Sequence, residues 1–260
     1  MKIPRDRYPD HRVQFYGADN GALIRNVGSY LAEGLRAGGG AIAIAIPAHR
    51  TAFLAEIARE GANPEAAVRE GRLVLLDARE TLSQLLDGDA PSAERFDHLA
   101  ARIVPRLRER VGGGELRAYG EMVGLLWNAG RTAAAERLES LWNALVARET
   151  LCLYCGYEID VFGSEFQAGV VDRILCAHSA VVPAVGGDRL AQAVSRAVDE
   201  VLGRRATDVK TLMKPKPQSS WPALPEGEAA VLWIRNHLPE SAEEILRSAR
   251  RFSGEQALRA

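Results

Sequence analysis

Lysine is nearly missing from this sequence: in 260 residues it occurs only at Lys2, Lys210, Lys214 and Lys216. Nothing between Lys2 and Lys210 can serve as the lysine of a phosphate-binding loop or of a Schiff base. Arginine carries the basic charge instead. Cysteine is equally scarce, with three residues, an odd number that makes no disulfide framework. Cys152 and Cys155 form a C-x-x-C inside "LCLYCGYEI", which reads as a strand. An odd separation along a strand sends the two thiols to opposite faces, so they are not expected to share a metal ion or a bridge. The five histidines are scattered, with no pair at zinc spacing. No metal site and no cofactor are assigned, and the cysteines read as small apolar core residues.

Long hydrophobic runs are missing too: none approaches the roughly 20 residues of a membrane span. The start, "MKIPRDRYPDHR", has no apolar signal-peptide core. The formal net charge of -1 gives no global field that would attract nucleic acid or an anionic membrane. Direct nucleic-acid binding and membrane insertion are therefore not expected, and a cytoplasmic location is the default. G-x-S-x-G, H-E-x-x-H and G-x-G-x-x-G are all absent. A non-enzymatic role is favoured, although a dispersed catalytic site would leave no such motif.

What is present is a core, since 47% of residues are apolar. "VQFYG" reads as a strand, followed by a helix that Asp19 or Asn20 would cap, with Leu23, Val27, Tyr30, Leu31 and Leu35 on one stripe. "AIAIAI" is apolar on both faces, as in a central parallel strand. "RLVLLDA" is a third strand, and helices follow over roughly 79–87 and 93–111, the second containing Pro105. "GGGELRAYGEM" gives a turn and a fourth strand, 132–149 a helix, and "LCLYCGY" a fifth strand. Alternating strands and helices predict an α/β fold, a mostly parallel sheet covered by helices on both faces. The sequence divides into an α/β domain over 1–203, a Pro/Lys-rich linker over 204–226, and an amphipathic helical tail over 227–260 split at Pro239.

"HRVQFYG", "AIAIAIPAHR", "GRLVLLDARETL", "YGEMVGLLWNAG", "AAAERLESLWNAL", "LCLYCGY" and "AHSAVVPA" occur in that order. With them the chain from about His11 to Pro183 resembles the MEDS domain, the methanogen/methylotroph sensory domain. That family includes a dichloromethane-responsive repressor, sensor kinases and stand-alone proteins. The resemblance implies a RecA/KaiC-like fold whose phosphate loop has been lost. It also implies a sensory module for a small molecule, hydrocarbon derivatives being candidates, that relays its state to a signalling partner or through self-association into a homo-oligomer. The sequence departs from the repressor in lacking a helix-turn-helix before the domain, and it lacks a kinase module after it, so the resemblance carries transcription regulation as a family role without implying a DNA-binding or phosphotransfer output here. The alternative is a divergent nucleotide-binding, ATPase-like protein that grips phosphate with arginine rather than lysine.

Ligand candidates cluster at strand ends. His49 and Arg50 stand at the carboxyl end of "AIAIAI", where open α/β sheets bind ligands. Asp77 ends the third strand, with helix capping as its plainer role, and Glu121 follows the fourth. His11, Tyr16 and His178 match the family pattern, while Tyr119 and Trp142 would wall an apolar pocket or fill the core. Glu139, three residues before Trp142, reads as a surface acid. In the tail, Leu232, Trp233, Ile234 and Leu238 are apolar anchors for docking on a partner or on the chain's own core.

Overall fold

The structure, a computed structural model, describes residues 10–185, 188–213 and 222–257, with side chains to 254. Six parallel strands form the sheet: β1 (His11–Phe15), β2 (Gly40–Ala45), β3 (Leu73–Asp77), β6 (Leu116–Gly120), β7 (Leu151–Tyr157) and β8 (Ala180–Val182). Their order is β3-β2-β6-β7-β1-β8. The five anticipated strands are there. The sixth, β8, is a three-residue edge strand inside "AHSAVVPA" that is too short to show a period. Between β3 and β6 lies a hairpin of β4 (Leu86–Asp87) and β5 (Ala90–Pro91), with Gly88 at φ +58° in its turn.

The alternation in "AIAIAI" sorts the two faces. Ala41, Ala43 and Ala45 point to one side, against α1 (Gly21–Arg36), α2 (Pro47–Arg59) and α3 (Pro64–Arg69). Ile42 and Ile44 point to the other, toward α4 (Ala78–Leu85), α5 (Ala93–Val111), α6 (Met122–Asn128) and α7 (Thr132–Glu149). A Cβ on Gly28 would stand 2.3 Å from Glu56 Cγ, so the glycine is what allows α1 to lie directly on α2. Cys152 and Cys155 fall in the clusters on opposite faces, as their spacing requires. α5 continues through Pro105.

Beyond β7 the chain forms α8 (Ala168–Leu175), β8 and then α9 (Arg189–Leu202), followed by a short 3-10 turn at Gly203–Arg205. α10 (Ala206–Met213) occupies the first part of the expected linker, whose residues 214–221 lie outside the described ones. The tail is helical as read, with α11 (Glu226–His237) and α12 (Pro239–Ala257) flanking Leu238. Both pack on α9, and their apolar residues join the cluster that includes α7 and the sheet. Among the described residues, no helix is long and apolar enough to cross a membrane.

A glutamate of the tail is buried at this junction. Glu228 is 1% exposed and accepts the Ala184 N–H at 2.6 Å. Burial pushes its carboxyl from the ordinary 4.5 up to about 7. The folded state therefore holds this proton more tightly than the unfolded chain. The stabilisation is complete below pH 4.5 and is lost as pH rises through about 7, a loss of about 3 kcal/mol. Glu228→Gln should flatten this dependence, seen as a smaller fall in melting temperature between about pH 5 and about pH 8. An unchanged pH profile would show that Glu228 is not buried as described.

Candidate functional site

At the carboxyl edge, the strand–turn–helix after β2 is closed by a carboxylate. Glu121, just past β6, receives the Ile46 N–H on Oε1, and His49 Nδ1 lies 2.6 Å from Oε2. The Tyr119 hydroxyl donates to Oε2 at 3.0 Å. Asn20 Nδ2 donates to His49 Nε2 at 2.9 Å, which leaves the histidine's proton on Nδ1, facing Glu121. The Tyr16 ring meets the His49 ring edge-on at 5.8 Å. Burial, and then the nearby Glu121 charge, push both the Tyr16 and Tyr119 hydroxyls up, so they remain neutral donors. Four predicted residues, Tyr16, His49, Tyr119 and Glu121, thus form one connected group.

Beside it, along edge strand β3, lies a cleft of ≈ 410 Å³ lined by Arg50, Asp77, Glu80, Thr81, Gln84 and Arg102 among others. That volume is within the roughly 300–1,000 Å³ of small-molecule sites. The helices after the adjacent strands β2 and β3 leave for opposite faces of the sheet. Such a divergence opens a crevice at the carboxyl edge. Asp77 divides its two oxygens between both of its expected roles. Oδ1 caps α4, accepting the Arg79 and Glu80 N–H groups at 3.0 Å. Oδ2 takes Arg50 Nη2 at 3.2 Å. Arg50 Nε is buried, and among the described residues no hydrogen-bond partner reaches it.

The remaining candidates lie elsewhere. Trp142 is in the core, edge-on to Phe96 at 5.0 Å, beside an apolar void of ≈ 20 Å³ that could hold one water at most. His11 and His178 stand beneath α7 with their rings 4.2 Å apart, in a group with Glu139 and Cys155. Glu139 is not on the surface but 3% exposed. Its place four residues after Ala135, three before Trp142 and seven before Val146 is on the apolar stripe of α7, the signal that could have shown its burial. Burial has pushed the His11 imidazole down to about 4. In the tail, Leu232 and Ile234 are buried and Trp233 and Leu238 half-buried, all against the chain's own core. Trp233 also stacks on His237 at 4.5 Å. Asn20, Asn143 and Cys155 take part in these groups without having been singled out as site residues.

Compared with curated proteins, the chain has no match. Compared with family models, residues 10–179 match MEDS, described as the MEthanogen/methylotroph, DcmR Sensory domain. The match takes in every residue of the carboxyl-edge group and of the cleft, and ends just before β8. It covers more than half of the 260 residues, and the chain therefore belongs to the MEDS family of sensory domains.

Proposed function

We propose that the cleft along β3 binds a small organic molecule carrying an acceptor group, such as a carboxylate or a polarised oxygen. The observation that carries this is Arg50, a half-buried side chain lining the cleft, with one donor on Asp77 and a buried Nε–H that has no partner among the described residues. Thr81 and Gln84 add neutral hydrogen-bonding groups, and Leu75, Leu76 and Leu99 supply apolar wall for a short hydrocarbon part. A sensory role for the domain fits the family.

The same residues supply a coupling. An acceptor that spans Nε–H and Nη2 of Arg50 competes with Asp77 Oδ2 for Nη2, and Asp77 Oδ1 is the cap of α4. Ligand affinity then differs between capped and loosened α4, which is what a population shift requires. A protein partner would read the position of α4, whose outer side is exposed.

A nucleotide fits less well. In a phosphate loop the backbone N–H groups at the start of the helix face the anion. Here the Glu121 carboxylate already holds the Ile46 N–H, a fixed internal anion that repels phosphate.

A thermal-shift panel of short carboxylates, alcohols, halocarbons and Mg-nucleotides tests this. A true ligand at about 100 times its Kd should raise the melting temperature by about 5–10 °C. Arg50→Ala should remove the shift. A nucleotide response, or an organic response that survives Arg50→Ala, would place the ligand elsewhere.

A further inference from the structure

We propose that His11, Glu139, Cys155 and His178 form a binding site for one zinc-class divalent cation beneath α7. Their ligand atoms all lie within 4.8 Å of one another, and all four residues are buried. His11 Nε2 is 3.3 Å from Cys155 Sγ and 3.5 Å from Glu139 Oε2. His178 Nε2 is 3.3 Å from Glu139 Oε1, and Cys155 Sγ is 3.8 Å from Glu139 Oε2. A tetrahedral zinc ion with bonds of about 2.0–2.3 Å has ligand atoms about 3.3–3.8 Å apart. The four separations quoted lie in this range, that of His178 being to the other Glu139 oxygen, and the remaining ones reach up to 4.8 Å, so a bound ion would draw the group inward.

The hydrogen bonds around the group fix which atoms face inward. Asn143 Nδ2 donates to the Ala177 carbonyl at 3.0 Å, which turns its Oδ1 to His11 Nδ1 at 2.9 Å. Oδ1 can only accept, so His11 carries its proton on Nδ1 and presents a bare Nε2 lone pair to the cluster. His178 Nδ1 lies 2.7 Å from the Ile174 carbonyl, which imposes the same tautomer, and its buried Nε2 has no hydrogen-bond partner among the described residues. Backbone or amide oxygens behind the ring are the usual support of metal-bound histidines. Two imidazole lone pairs and a carboxylate thus converge on one point. Opposing them are one thiol hydrogen and the Tyr157 hydroxyl, which donates to Glu139 Oε1 at 2.7 Å. One S–H cannot satisfy these acceptors together.

A dication satisfies them all. Cys155 gives up its proton to solvent as the ion enters, and thiolate, carboxylate and two neutral imidazoles then balance the 2+ charge. A mixed sulfur, nitrogen and oxygen set suits a borderline-soft cation. Four protein ligands leave no open position, so the ion would be structural. It would tie together β1, α7, β7 and the turn before β8, elements that the sequence separates by 168 residues between His11 and Ser179 alone. Cys152, on the opposite face of β7, takes no part.

The test is metal content and cobalt spectroscopy on the full chain, made without a polyhistidine tag. The expected result is about one zinc per chain. After chelation, Co²⁺ alone should restore tetrahedral visible bands and a thiolate-to-cobalt charge-transfer band. Cys155→Ser should abolish the charge-transfer band, whereas Cys152→Ser should keep it. Asn143→Ala, which releases the His11 ring without removing a ligand, should weaken zinc affinity roughly 10–100-fold. Metal-free wild-type protein that is folded by circular dichroism and takes up neither zinc nor cobalt would overturn the proposal. So would a cobalt spectrum unchanged by Cys155→Ser.

Discussion

Glu121→Ala is expected to lower stability by about 3–5 kcal/mol, a large share of what an ordinary domain has. Glu121 is 2% exposed and is the common acceptor of the Ile46 N–H, His49 Nδ1 and the Tyr119 hydroxyl. Alanine leaves these donors buried among apolar neighbours such as Phe53, whose ring lies edge-on to Tyr119 at 5.0 Å. Water cannot replace the carboxylate without opening the turn between β2 and α2. Glu121→Gln keeps the shape and one acceptor, so its cost should be smaller, about 1–3 kcal/mol. Chemical denaturation of the two variants checks the order. Equal and small losses would mean that Glu121 does not close the turn.

Ile245→Asp is expected to be at least as damaging. Ile245 is fully buried in α12, with Ala242, Leu246 and Ala249, and α12 packs on α9, whose buried residues include Val194, Ala197 and Val198. An aspartate there buries a charge in the apolar cluster around Ile245 and leaves the volume of an isoleucine poorly filled, worth more than about 4 kcal/mol. Ile245→Val, a one-methyl cavity, should cost only about 0.5–1.5 kcal/mol. If the tail were a separate arm reserved for a partner, Ile245→Asp would leave the melting temperature of the isolated chain unchanged. A single cooperative transition shifted down by about 10 °C or more is the expected outcome.

The parts of the fold legible in the sequence were those with local causes. "AIAIAI" announces a strand buried on both faces, because no other short element needs apolar residues at every position. Asp77 showed its cap because capping acts over two or three residues. The carboxyl-edge group was partly legible, since strand ends deliver Tyr16, His49 and Glu121 to one edge whatever the strand order. Asn20 was read only as a cap, and its side chain turns to His49 instead.

The cluster beneath α7 was not legible. Zinc spacing rules look for pairs close in sequence, whereas His11, Glu139, Cys155 and His178 arrive singly, brought together by the order β7-β1-β8. The tail likewise shows an apolar stripe in its sequence but not what covers it. α9 supplies the cover, with Val194, Ala197 and Val198 aligned on one face.

The most direct test of the central claim, that the cleft along β3 is the sensory site, is backbone hydrogen exchange with and without a panel compound that raises the melting temperature. The account predicts altered protection over Asp77–Gln84, at the α4 cap, and in the first turn of α2 around Arg50, with α9 to α12 unchanged. Altered protection confined to α7, β8 or the tail, with the α4 cap unaffected, would contradict it.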